Sequence, residues 1–474
     1  MRLEASKRNT TIFRPESSPC VKIDNIRSSC DLRDGAMPTI ETDLEHDLAE
    51  RVAQISRKSH DARSPESTSA IELNLALRKL RHVDGLRNMG YLAVDYLTIL
   101  AVFAAGAIFL EYRASWGLPR WTNILMFGLG SIIMGGVQHR LAAIAHEASH
   151  YTLLKNKIMN DLVGDWLCLF PLMSSVQLYR LNHMAHHQFV NDETFDPDYR
   201  NMERFWGGRL PKGRWGFIAE TYLRPFFSPI SVIRYCTDYV LNNVFAVGDS
   251  FYLRKIGIVP PQSTRLKLGP ILAVVWLLTT DAAMIVSERA GRLDLVLASA
   301  ALGVAVAVAG ALTLPSKWVY VSPFKEPYPV RVASAMRLTF LIVGLLGLNT
   351  LRAWTGGRST ALFFGLWVLP LLTTFMYYML LREIYQHGNT DKDRVTNTRV
   401  FHVDPFTRWA VFVHGQDQHT PHHMYPAIPH YALEEAHETL KRLNKDYQNR
   451  VIEVHGTMFH GRSTLPTIQD VVAV

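Results

Sequence analysis

An all-α integral membrane protein is the fold class this sequence predicts: four to six transmembrane helices carrying a cytoplasmic helical cap. Three observations predict it. Apolar residues gather in blocks of about 20, the length a helix needs to cross a bilayer. A basic stretch containing Arg78, Lys79, Arg81 and Arg87 leads into the first block, as a cytoplasmic flank does. Nine of the 19 histidines stand in spaced groups at block ends or in the polar stretches between blocks.

The first 65 residues are polar, rich in Ser and Arg and poor in aromatics, and are expected to be disordered. Leu44 to Ile55 reads as a short amphipathic helix within them. Residues 66–474 read as one membrane domain, with spans at about 91–110, 121–144, 268–286, 293–314, 335–348 and 361–381. Residues 145–267 and 382–474 form the cap, mostly helical by pattern. Asn160 to Ser175 is apolar but short and contains Asp161, Asp165 and Pro171, which suits an interfacial or re-entrant element. Residues 202 to 255 mix bases with aromatics and read as an interface belt at the headgroup level.

Composition excludes several classes. The net charge of +8 and pI near 9.2 come without a separate basic module, so nucleic acid is not a partner and anionic headgroups are. Cys20, Cys30, Cys168 and Cys236 form no CxxC pair, which argues against a disulfide framework or a thiolate metal site. The N-terminus lacks the apolar core of a signal peptide, so the first apolar block is expected to direct membrane insertion.

The chemistry lies in the histidines. Box one is His146-Glu147-Ala148-Ser149-His150 and box two is His183-Met184-Ala185-His186-His187. His387 stands alone, and box three is His419-Thr420-Pro421-His422-His423. Residues three and four apart share a helical face, so each box can aim its imidazoles at a common point. A hydrolytic zinc site needs three protein ligands; nine histidines suit two metals with four or five each. All-nitrogen ligation argues against magnesium or calcium and leaves iron, zinc and manganese open. Pro421 places His422 and His423 at a helix start, with His419 just before it.

All nine must meet on one side of the membrane. An even number of crossings must therefore separate box two from His387, which gives six spans, or four if two blocks form a re-entrant pair. The positive-inside bias puts that side, and both termini, in the cytoplasm.

In order and placement these boxes resemble the membrane fatty-acid desaturase and hydroxylase superfamily. The resemblance runs from about Tyr91 to His437 and is carried by HEASH at 146–150, NDLVGDWL at 160–167, HMAHH at 183–187 and QHTPHHMYPAIPHY at 418–431. It implies a non-haem centre of two iron ions ligated by His146, His150, His183, His186, His187, His387, His419, His422 and His423. It also implies O2 as co-substrate and removal of hydrogen from an unactivated C–H bond of an acyl lipid, acyl-CoA or acyl-carrier substrate.

The expected activity is O2-dependent desaturation of a lipid acyl chain. A hydroxylase or ketolase of a fatty acid, carotenoid or other lipid is the alternative, and a metal transporter the remote one. The sequence contains no HPGG haem motif and no Cys-rich ferredoxin motif, so electrons are expected from a separate donor of ferredoxin or cytochrome b5 type. The expected location is the plasma (inner) membrane of a bacterium or the endoplasmic reticulum of a eukaryote.

Other residues are candidates for supporting roles. Glu383 stands four residues before His387, on the same helical face, and is a candidate metal or outer-sphere ligand. Glu147, Asp192, Asp196 and Asp417 are candidate carboxylate partners of ligating histidines. His139, His430 and His437 read as packing or outer partners; His402, His414, His455 and His460 have no assigned role.

Overall fold

Among the described residues, six helices are long and apolar enough to cross a membrane. A computed structural model describes residues 65–206, 213–227, 230–243, 255, 268–315, 318–459 and 461–473. The expected disorder of the first 65 residues and the helix at 44–55 thus fall outside the described residues, apart from Pro65 itself.

After a leading helix α1 (Pro65–Lys79) come α2 (Gly85–Tyr112) and α3 (Thr122–Ser149), the first two spans. Both outrun their apolar blocks. Asp84 explains the early start of α2, because its side chain accepts the Arg87 N–H and caps the helix. α4 (Lys157–Gly164) is capped by Asn156 and continues as a π-turn over Asp165–Leu169. This is the short element predicted at 160–175, and it is not among the six long helices. α5 (Val176–Gln188) carries box two and starts at a Ser175 cap. Shorter helices follow, including α6 (Pro197–Trp206) and α7 (Ile230–Asn243). They occupy the described part of the predicted interface belt.

Three spans come next: α8 (Leu268–Arg289), α9 (Leu293–Thr313) and α10 (Val330–Thr355). Their contact is close because small residues line it. Ala300, Gly303, Ala307 and Ala311 recur at three- and four-residue steps on α9, and a Cβ at Gly303 would fall 2.5 Å from Thr280. The apolar block at 335–348 underestimated α10, whose 26 residues include Arg331, Asn349 and Arg352 on either side of that block. Those polar residues broke the apolar run without breaking the helix.

The last span, α11 (Arg358–His387), contains a π-turn at Phe364–Val368 and an irregular residue at Thr373. It packs tightly on α3, where a Cβ at Gly135 would lie 2.2 Å from Thr374; the neighbouring Gly136 instead meets Trp409 of the later Pro405–Ala410 helix, at 2.5 Å. The approach of Gly135 to Thr374 brings α3 and α11 together ahead of their histidines.

From Pro65 onward the described chain forms one unit. Its last part is less helical than its pattern predicts. β1 (Val400–His402) pairs in parallel with β2 (Glu453–His455). Box three lies on α12 (His419–Met424), followed by α13 (Leu433–Leu443). His419 begins α12 rather than preceding it, and Pro421 is its third residue. That position tolerates proline, because the first helical N–H groups lack intrahelical acceptors. β1 also ties down the approach to box three: Phe401 N–H donates to the Asp417 carbonyl at 2.8 Å. Buried Arg399 donates to the carbonyls of Tyr385 at 2.8 Å and Gly388 at 2.6 Å, closing the C-terminus of α11.

Candidate metal centre

All nine predicted histidines converge, and they do so as two groups. His146, His150, His183, His187 and His422 form one, and His186, His387, His419 and His423 form the other. Within each, the inward nitrogens all lie within 4.8 Å of one another. The division runs through the boxes rather than between them. His183 and His187 are four apart on α5 and face the first group, while His186 between them turns to the second. On α12 the roles reverse: His419 and His423 serve the second group and His422 the first. Each of these two boxes therefore contributes to both groups.

The nitrogens approach as ligands of a shared ion would. Nε2 of His146 is 3.0 Å from Nε2 of His422, and Nε2 of His187 is 3.0 Å from those of both His183 and His422. His150 and His183 approach to 2.9 Å. In the second group, His419 Nε2 lies 3.0 Å from those of His387 and His423, with His186 at 3.3 Å from His423. Two nitrogens each about 2.1 Å from one ion, at right angles to it, are about 3.0 Å apart.

The outward nitrogens fix the tautomer. Nδ1–H of His186 donates to Asp196 at 3.0 Å, that of His387 to the Asn397 carbonyl at 3.1 Å, and that of His146 to Glu147 at 3.2 Å. In its neutral form each of these rings then points an Nε2 lone pair inward. Lone pairs facing one another at 3 Å repel, and a cation at their focus removes the conflict. The residues thus fit a pair of metal ions.

Burial sets the protonation of the cap histidines. It pushes His150 down to about 3, and together with the neighbouring imidazoles it holds His183, His187, His419 and His423 well below the usual range. His422 is lowered in the same way. Burial acts on His186 too, but the Asp196 and Asp198 carboxylates outweigh it and hold that ring up at about 9.

The candidate supporting acids separate by geometry. Glu147 bonds His146 and also accepts from Thr152 Oγ1 at 2.8 Å and His430 N–H at 3.0 Å. Asp196 bonds His186 and accepts Asn191 N–H at 2.7 Å. Asp192 instead pairs with Lys392 at 3.1 Å, and Asp417 with Arg408 at 3.0 Å. Glu383 is buried; one oxygen accepts the Tyr235 hydroxyl at 2.9 Å and Oε2 has no partner among the described residues. It belongs to neither histidine group.

Among the remaining histidines, His139 bonds the Ala410 carbonyl at 2.8 Å and His437 the Tyr447 hydroxyl at 2.7 Å, so both are packing contacts. His430 bonds Asn88 at 3.1 Å and reaches box one only through Glu147. His414 pairs with Asp95, and His402 with Glu453. His460 lies outside the described residues.

Sequence reasoning missed Asp198, 3.5 Å from His186 Nδ1, and Gln416, which accepts from Gln386 and lies beside His146. The position of Asp198 two residues after Asp196 was a usable signal; Gln416 had none. It also missed the buried Arg180 of α5, which binds Asp161 at 2.6 Å and the Ser149 carbonyl at 3.0 Å and so locks box two onto box one.

The model of the fatty acid desaturase family matches residues 121–324 and 290–455, together more than half of the chain. Dihydrorhizobitoxine desaturase from Bradyrhizobium elkanii is 29% identical over 218 residues, 44% of this chain and 58% of that protein. A Delta 8-(E)-sphingolipid desaturase from Komagataella phaffii is 26% identical over 173 residues, 35% of this chain and 28% of that protein. Delta(8)-fatty-acid desaturase 1 from Arabidopsis thaliana is 24% identical over 131 residues, 27% of each. The chain spans less than two thirds of the length of each of these relatives. The matched stretches of the family model contain every histidine of both groups, and by that extent of match the chain belongs to the fatty acid desaturase family.

Proposed function

We propose that this protein desaturates a lipid acyl chain at a centre of two iron ions held by the nine histidines. The convergence of nine buried or half-buried imidazoles into a group of five and a group of four carries the reading. The net reaction is –CH2–CH2– plus O2, two electrons and two protons, giving –CH=CH– and two waters. The bound irons supply O2 activation and the oxidising power. Burial favours the neutral ring at the cap histidines other than His186 and excludes water, while Glu147, Asp196 and the Asn397 carbonyl orient His146, His186 and His387. An apolar cavity of about 670 Å³, lined by Cys236, Leu372, Thr373 and Tyr377 among others, borders the helix that carries His387 and offers room for the acyl tail.

Glu383 belongs to the same reading. It sits one helical turn before His387, buried, with one oxygen unclaimed. Its proposed role is to hold a water or a histidine partner beside the four-histidine group. The electrons come from a separate ferredoxin or cytochrome b5 type donor, and the boxes and both termini lie on the cytoplasmic face.

The purified full chain should bind about two irons and consume O2 when given reductant and lipid. Lipid profiling of an expressing host should show new double bonds. Hydroxylated product with no new double bond would move the reading to a hydroxylase. Iron transport without O2 consumption would overturn it. Reporter fusions at residue 70 and at the C-terminus should agree on sidedness; opposite signals would overturn the six-span arrangement.

A further inference from the structure

Arg337 is the charge that the rest of the fold does not account for. It stands seven residues after Val330, so at 1.5 Å per residue it is about 10 Å into α10. Its Nη1 is buried and has no hydrogen-bond partner among the described residues. Among the described residues of these three spans, the Thr280 hydroxyl is the only other buried side-chain polar atom without a partner, and the charged groups near it are paired. Asn349 bonds Asp281 at 2.8 Å, and Arg352 bonds Glu288 at 2.6 Å. Asp165, an acid that acts on Arg337 through space, already accepts Val176 N–H and the Tyr328 hydroxyl, each at 2.6 Å. A charged side chain at this depth is costly unless something answers it.

Arg337 also lines a cavity of about 360 Å³ between the start of α8, the end of α9 and the start of α10. That is within the range of roughly 300–1,000 Å³ in which small-molecule sites fall. The walls are otherwise almost wholly apolar. The two other polar side chains among them are already used: Trp276 donates to the Gly303 carbonyl at 2.9 Å, and Ser334 to the Val330 carbonyl at 2.9 Å. The cavity lies at the same end of the bundle as Glu326, which pairs with Arg180 of the box-two helix. It therefore opens in the leaflet that borders the metal centre.

A guanidinium with an open donor above an apolar cavity matches an amphiphile with an anionic head. The long stem of arginine lets the head sit at the membrane boundary while the chain lies below. We infer that this cavity is a second lipid site, separate from the metal centre, in which Arg337 grips the phosphate or carboxylate of one lipid and the walls of α8, α9 and α10 hold its chain.

The test uses the purified full chain in phosphatidylcholine nanodiscs carrying a small fraction of phosphatidylglycerol or oleate, with retained lipid read by native mass spectrometry. Wild-type protein should retain the anionic lipid over phosphatidylcholine, and whichever of the two saturates the site names the head. Arg337→Gln should weaken retention about 10- to 100-fold, with metal content unchanged, while Arg337→Lys keeps part of it. Gly310→Leu keeps the charge and fills the cavity. Nothing lies within 4 Å of a Cβ built at Gly310, so the fold should accept it, and retention should fall. Equal retention of the anionic lipid and phosphatidylcholine, or wild-type retention in Arg337→Gln, overturns the inference. If Arg337→Gln does not fold, unchanged retention in Gly310→Leu overturns it. Competition by inorganic phosphate with Gly310→Leu silent also overturns it, since the chain would then contribute nothing.

Discussion

The five-histidine and four-histidine groups share two helices, α5 and α12, yet they are enclosed differently. The five-histidine group sits at the end of α3 and has one nearby carboxylate, Glu147, bonded to His146. The four-histidine group sits at the end of α11 and has acids on two sides: Asp196 and Asp198 on His186, and Glu383 one turn below His387. One group is richer in imidazole and the other in surrounding negative charge. A metal held by five neutral rings tolerates the loss of one better than a metal held by four. Negative charge around the smaller set offsets its missing ring.

Alanine at a ligand is the strongest way to break this comparison. His187→Ala leaves four rings in its group, and His423→Ala leaves three. Turnover should vanish in both. Iron content should stay close to wild type in His187→Ala and fall by about one ion in His423→Ala. Equal iron loss in the two variants, measured on purified protein, would remove the asymmetry.

The outer carboxylates come next. Asp196→Asn should lower metal affinity or activity roughly 10- to 100-fold, the usual effect of losing a histidine's outer partner. Glu147→Gln should do less to metal retention, because its group has a fifth ring in reserve. Competition with a chelator ranks the two, and a larger loss in Glu147→Gln would reverse the comparison.

Glu383 sharpens it further. A surface ion pair is worth at most about 1 kcal/mol, and Glu383 is not on the surface. Glu383→Gln should reduce turnover by roughly 10-fold or more. Tyr235→Phe, which leaves the carboxylate in place without its donor, should cost less. Wild-type turnover and metal stoichiometry in Glu383→Gln would limit its role to packing.

Asp165 supplies the smallest effect and a control. It holds the first N–H of α5, which serves both groups, so its loss should disturb them equally. Burial pushes its carboxyl up to about 7. The unfolded chain releases that proton near pH 4, so folding stability falls as pH rises from about 4 to 7 and is level above. In Asp165→Asn that slope should flatten, as read by thermal unfolding in detergent at several pH values. An unchanged slope would assign the dependence to other groups.

Much of this was legible in the chain. The three boxes and His387 could be read because i, i+3 and i+4 spacing survives any tertiary arrangement. The spans could be read because a bilayer selects for length and apolarity. Their ends could not. Asp84 extended α2 by capping it, and Arg331 and Asn349 hid the length of α10 from an apolar count. The strands β1 and β2, three residues each, carry too short a pattern to detect.

The sequence by itself determined the family resemblance, the histidine boxes and the apolar blocks, because each depends on residue type and local spacing. The tertiary structure decided how the nine histidines divide. His183, His186 and His187 are neighbours on one helix, and nothing local says that His186 turns away toward His387. That follows from where α11 and α12 pack against α5, fixed by close contacts such as Gly135 on Thr374 and by Arg399 across the end of α11. The same holds for the acids. Asp192 and Asp196 looked alike in the acidic run, and packing sent one to Lys392 and the other to His186.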